Sequence, residues 1–219
     1  MAERVMRVTG KGSIKAKPDM TRVTITLKDG RKDYDLTLKA LADSTDIVKG
    51  LLTNLGFARE DVKTTDYHVD IDNESYHDKN GNWKTKFIGY KYSHTMKVEF
   101  ESDNGKLGKI LTLLANNGSV KPEFNFGFFV KDTEAAKNRL LGKAVADAKN
   151  KAEVLAQAAG VTLKDIVTVD YSWGEINFEI SPLRKMLAEE DDCYESYTPD
   201  IEPDDIEASD TVTVIWHIE

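Results

Sequence analysis

The chain has 219 residues, a formal net charge of -8, and 40% hydrophobic against 31% charged residues, the balance of a soluble protein with room for a sizeable core. A pI near 5.2 repels phosphate backbones on average, and no basic run longer than a few residues offsets it, so nucleic acid is not an expected partner. A single cysteine, Cys193, excludes an internal disulfide and fits a reducing compartment. No stretch approaches a membrane span, and residues 1–9 hold no apolar core of signal-peptide length. The expected location is therefore the cytoplasm, or the periplasm or exterior if a leader was removed.

Glu3 to Thr9 reads as a short strand, followed by Gly10-Lys11-Gly12-Ser13 and Lys17-Pro18-Asp19. The glycines lack the spacing of a phosphate-binding loop, and a bulge or turn is expected there. Thr21 to Lys28 alternates Val23, Ile25 and Leu27 with Thr24 and Thr26, a half-buried strand. Asp33 can cap a helix over Tyr34–Leu55 whose apolar face is Leu38, Leu41, Val48, Leu52 and Leu55, with Gly56 as the stop. Val62 to Ile71 is a strand, residues 73–84 are polar, and a return strand runs from about Lys86 to Glu101. In that return strand Tyr90, Tyr92, His94, Met96, Val98 and Phe100 share one face. Asp78, Asn80 and Asn82 alternate as in a calcium loop, but Trp83 and Gly89 occupy the positions where an EF-hand needs Gly and Glu, so a hairpin turn is expected.

Asn104 to Asn116 is a short helix with Leu107, Ile110, Leu111 and Leu114 inward, and Phe124 to Lys131 is an aromatic strand. Thr133 to Gly160 is the longest periodic stretch. Asp132 or Thr133 can cap it and Gly160 can end it with a positive φ. Leu141, Val145, Ala148, Ala152, Leu155 and Ala159 make the expected face against a sheet, with Lys143, Asp147, Asn150 and Gln157 opposite. Asp165 to about Phe178 and Thr211 to Ile218 are further strands. Between them Ser181–Ala208 forms an acidic, proline-punctuated excursion, expected to be solvated and dispensable for folding.

Sliding the chain by 104 residues sets Gly160 against Gly56 and matches Leu36, Lys39, Ala40, Ala42, Asp43, Leu51, Asp61, Thr64, Asp66 and Tyr67 with identical residues. The expected fold class is α+β: two β-α-β-β repeats, about residues 21–101 and 122–218. Mixed or antiparallel sheets carry the long helices on one face, and a short helix links the repeats. The sequence leaves open whether the repeats share one sheet. None of the four histidines, His68, His77, His94 and His217, lies in a helical metal-ligand pair. Cys193 sits among carboxylates that raise a thiol pKa. No catalytic, cofactor or metal residues are expected.

Val8-x-Gly10-x-Gly12, Lys17-Pro18-Asp19, Gly89-Tyr90 and the series Ala144, Ala148, Lys151-Ala152, Leu155-Ala156, Gly160 together resemble the SIMPL domain, also called DUF541, over about Val5 to Ile218, so that 1–219 reads as one SIMPL-like region. The resemblance implies a largely bacterial family without an accepted enzymatic activity. It includes periplasmic and surface antigens, members linked to oxidative-stress tolerance, and a kinase-associated signalling adaptor. The expected function is that of a non-enzymatic, self-associating binding or assembly protein, with homo-oligomerisation and an unidentified protein partner. The alternatives are a small-ligand or metal binder using the inter-repeat cleft or the acidic excursion, and an unrecognised hydrolase. The aromatic strand Phe124–Val130 and the tyrosines Tyr90 and Tyr92 of the hairpin are the expected self-association edges.

Overall fold

The computed structural model describes residues 4–171, 176, 178–181 and 201–219. Its elements, in chain order, are β1 (Val5–Ala16), β2 (Met20–Arg31), α1 (Tyr34–Asn54), β3 (Lys63–His77), β4 (Trp83–Glu101), α2 (Asn104–Ala115), β5 (Glu123–Phe129), α3 (Thr133–Ala159), β6 (Leu163–Tyr171), β7 (Glu179–Ile180) and β8 (Ile206–Ile218). The class is α+β, as expected, and the paired strands are antiparallel. The described residues of Met1–Asp19, Phe129–Ile180 and Pro203–Glu219 form one compact unit, and those of Met20–Phe128 with Ser181–Glu202 form a second.

In the first unit the strand order is β1-β8-β6, with α3 across the sheet. β1 runs seven residues beyond the expected end at Thr9, straight through Gly10 and Gly12 to Ala16. The two glycines are neither a turn nor a bulge; they are the contact with the helix. A Cβ on Gly10 would lie 2.1 Å from the Ala144 carbonyl oxygen, and one on Gly12 2.2 Å from that of Leu140. The backbone of β1 thus lies directly against the backbone of α3, an approach open only to residues without a side chain.

That contact also sets the buried face of α3, which differs from the expected one. Ala136, Leu140, Ala144, Ala148, Ala152 and Ala156 are buried, a row of strict four-residue steps. Val145 is 37% and Leu155 49% exposed. Apolar spacing alone favoured the large side chains, but close packing on glycines selects the row of small ones, and an i±4 row runs oblique to the helix axis. Val8, Val212, Val214 and Trp216 complete this core; Ile14, Phe178, Ile206 and Ala208 form a second cluster under Leu140. Asp132 caps the helix through the Ala135 amide, and Gly160 ends it at φ 67°. β8 begins at Ile206, five residues before the expected start, so the end of the acidic excursion is a buried strand paired with β1. β6 is described over Leu163–Tyr171, and Phe178, the expected end, is not in a strand.

In the second unit the order is β3-β4-β2-β5. Val23, Ile25 and Leu27 on β2 and Tyr92, Met96, Val98 and Phe100 on β4 are buried, as the alternation implies. α1 covers them through Leu41, Val48 and Leu52, capped by Asp33, whose carboxylate accepts the Asp35 and Leu36 amides. Gly89 continues the pattern of close approach, since a Cβ there would lie 2.3 Å from the Arg31 carbonyl oxygen. β3 and β4 are longer than expected and pair out to His77 and Trp83, so the polar stretch is mostly ladder. The Asp78 carboxylate accepts the Asn80 and Asn82 amides, and Gly81 adopts φ 79°, the hairpin turn the sequence indicates.

Candidate functional site

The features best suited to recognition are the strand edges and the sheet surfaces the helices leave bare. In the first unit, β1 and β8 lie under α3, and the outer edge of β1 is closed by the row of α3 beside the alanine seam. Lys143 Nζ donates to the Ser13 carbonyl oxygen at 3.1 Å, the Lys11 amide donates to Asp147 Oδ2 at 2.7 Å, and Lys151 Nζ donates to the Thr9 carbonyl oxygen at 3.4 Å. Lys143 and Asp147, expected on the solvent side, are thus strand caps. Lys151, 2.7 Å away, and the Lys11 amide hold the Asp147 carboxyl below its ordinary range. Three of the edge groups in the middle of β1 that invite a further strand are thus occupied.

β6, at the other margin, has no such cover among the described residues. Among the described residues no strand pairs with its outer side. Ile166, Val167 and Val169 are 53%, 43% and 48% exposed, so both faces present branched apolar side chains. Two register shifts, between Leu163 and Ile166 and between Ile166 and Thr168, leave Val167 outside the ladder with β8.

In the second unit the marginal strand is β3, and its side chains sort by charge. Tyr67, Val69, Ile71, Asn73, Ser75 and His77 alternate with Asp66, His68, Asp70, Asp72, Glu74 and Tyr76. The charged side is tied together: His68 Nδ1 lies 2.9 Å from Asp66, and Lys91 Nζ 3.5 Å from Asp72. The other side faces as the buried row of β4 does. His94 is buried there at 3% exposure, with Thr45 of α1 on Nδ1 at 2.9 Å and Thr64 of β3 on Nε2 at 3.0 Å. Burial, with Lys49 nearby, holds this imidazole below its ordinary pKa, while Asp66 works the other way. Neutral imidazole offers one donor and one acceptor: the Thr45 hydroxyl donates to the Leu41 carbonyl oxygen at 2.8 Å and so accepts from Nδ1–H, while the Thr64 hydroxyl donates to Nε2. The site suits a structural histidine better than a proton carrier, because neither ring nitrogen is left for a substrate.

The remaining residues singled out in the sequence do not converge. His77 stacks on Trp83 at 3.9 Å between ring centres in the hairpin tip. Asp78 has both carboxylate oxygens engaged, one in the turn and one with Lys84 at 3.1 Å, and the Asn82 amide bond and Lys84 hold its pKa low. Glu99 is partly desolvated, which opposes ionisation, yet Lys97 and Arg22, at 2.8 and 2.7 Å, keep its carboxyl below the usual value. Cys193 and residues 182–200 of the acidic excursion lie outside the described residues. Among the described residues no group of three or more His, Cys, Asp or Glu side chains is placed to hold a metal ion. No helix there is long and apolar enough to cross a membrane.

Two of the aromatic residues expected at exposed edges are placed differently, while Phe124 is 37% exposed. Tyr92 and Phe128 are 4% and 1% exposed, core residues, and β5 lies hydrogen-bonded beside β2. β4, the hairpin strand that carries Tyr90 and Tyr92, is not an edge but lies between β2 and β3. Sequence reasoning missed the exposed apolar residues of β3 and β6 because it weighed aromatic content. The usable signal was alternation without a helix to cover it.

Antiparallel sheets with helices on one face and a seam of small residues along one helix define the class as an α+β scaffold. The family model for SIMPL, a protein of unknown function (DUF541), matches residues 6–216, and the chain belongs to that family. No curated protein matches the chain.

Proposed function

We propose that this chain is a non-enzymatic binding and assembly protein that associates with further copies of itself through the outer edge of β6. The observation that carries this is the asymmetry of the first sheet: one edge is capped by Lys143, Asp147 and Lys151, while the other is bare and apolar at Ile166, Val167 and Val169. A bare apolar edge is a template for a further strand. A two-fold antiparallel pairing centred on Val167 sets Lys164 opposite Asp170 and Leu163 opposite Tyr171 of the second copy, so the edge complements itself in charge.

The residues that carry the family resemblance support a non-enzymatic role. Gly10, Gly12 and Gly89 admit close backbone contacts, Asp19 accepts the Lys131 amide at 2.8 Å, and the alanines form the helix seam. Each of these is accounted for by packing, and none offers a reactive group to a substrate. The strand orders β1-β8-β6 and β2-β4-β3 match, which supports a duplicated architecture, but with β1, outside residues 122–218, in the place expected of β5, which lies beside β2.

The test is light scattering on the wild type and on Val167→Lys/Val169→Lys, with thermal melts as the folding control. The exposed valines tolerate lysine, so the melts should agree within a few degrees while the mass falls. A variant of unchanged mass overturns the assignment to β6.

A further inference from the structure

We infer that the uncharged face of the β3–β4 ribbon is a second self-association surface, on which two copies pack face to face. This rests on the reading of the chain as self-associating, but on a different unit and a different kind of contact. The ribbon register pairs Ile71 with Tyr90, Asn73 with Phe87, Ser75 with Thr85 and His77 with Trp83, and opposite residues share a face. That face carries no carboxylate, lysine or arginine from Tyr67 to His77 or at its partners. The reverse face carries Asp66, Asp70, Asp72 and Glu74.

The uncharged face continues the buried row of β4 beyond the reach of α1. Tyr34 of α1 contacts Tyr90 at 5.3 Å, Phe87 sits on Tyr90 at 5.5 Å, and His77 on Trp83 at 3.9 Å. Much of the face is nonetheless open among the described residues: Trp83 is 70%, Ile71 58%, Tyr67 55%, Phe87 52% and Tyr34 47% exposed. Taking about 200 Å² for each large side chain, these five leave roughly 600 Å² of mostly apolar surface in water. That matches the largest patches monomers carry and approaches the ~800 Å² that each partner contributes to a stable interface. A two-stranded ribbon with nothing on either face is also marginal in water.

Charge selects the occupant. Two chains of net charge -8 repel, and so does an anionic membrane against this chain. An isologous contact between two copies of this face sets no like charges opposite one another, and it keeps both charged faces outward. A second copy is the partner that satisfies both conditions.

The experiment separates this surface from the β6 edge. In the full-length Val167→Lys/Val169→Lys background, light scattering should give twice the 24.6 kDa chain mass. Adding Ile71→Glu/Trp83→Glu should return it to one chain mass, and Tyr76→Glu, on the reverse face, should leave it a dimer. Trp83→Gln, a milder change, should raise the dimer dissociation constant at least tenfold with an unchanged circular dichroism spectrum. Association indifferent to all face variants overturns the inference and leaves the β6 reading standing. Loss of mass with the face variants but not with the β6 lysines does the reverse. Co-sedimentation of the monomeric wild type with phosphatidylcholine vesicles, abolished by Ile71→Glu/Trp83→Glu, assigns the face to lipid and overturns a second copy as its occupant.

Discussion

Gly10→Ala is the smallest change that addresses the packing of the first unit. Elsewhere in a strand this substitution stabilises, because alanine loses less conformational freedom on folding. At Gly10 the new Cβ falls 2.1 Å from the Ala144 carbonyl oxygen, 2.3 Å from the Ala148 amide nitrogen and 2.7 Å from the Ala148 Cβ. Two of these are backbone atoms of a 27-residue helix, so no rotamer relieves the overlap and α3 must recede by roughly 1 Å. A gap of that size forfeits a quarter to a half of each dispersion contact across the seam, over Ala144, Ala148 and Ala152 against Val8, Val212 and Val214. Overpacking costs about 1–3 kcal/mol and the opened seam adds to it, so a loss of about 3 kcal/mol is expected. That corresponds to a Tm lower by roughly 6–12 °C in a chain of this size. Gly142→Ala is the control: nothing lies within 4 Å of its added Cβ, it sits inside α3, and it should gain about 0.5–1 kcal/mol. Calorimetry on both variants decides, and a Gly10→Ala protein as stable as wild type refutes the close-approach argument.

His94 should make stability depend on mild acid. Its folded pKa lies below the ordinary value of about 6.5, so the unfolded chain binds the proton more readily. The stabilising contribution is full above that ordinary value and is lost as pH falls through 6.5 towards the folded value. His94→Gln should flatten urea-melt stability across that window, and an unchanged slope contradicts the assignment. The acidic excursion should divide at Ile206: replacing residues 189–203 by a Gly/Ser linker should shift Tm by a few degrees at most. Extending the replacement through Ala208 should cost several kcal/mol, because Ile206 and Ala208 are buried and pair with Ala16 and Ile14. Equal melts for the two deletions contradict the early start of β8.

Much of the architecture was legible because period and capping act locally. Asp33, Asp132 and Gly160 cap their helices as read, and the alternation of β4 predicts its buried face from Tyr92 to Phe100. What was not legible depends on contacts distant in sequence. Gly10 looks like a turn until Ala144 is brought against it, and the α3 face was misjudged because large apolar residues outweighed alanines that only a glycine strand can use. The excursion hid the start of β8, since Ile206 and Ala208 stand among carboxylates and only their pairing with β1 marks them as strand. The candidate surfaces were legible as alternation, in the uncharged positions of β3 and the valines of β6. Which side of each a helix would cover was not.

Sedimentation velocity of the wild-type chain, over a series from low to high micromolar concentration, tests self-association most directly. Species at integer multiples of 24.6 kDa, growing with concentration and displaced towards one chain mass by Val167→Lys/Val169→Lys, are expected. A single species of 24.6 kDa throughout contradicts it.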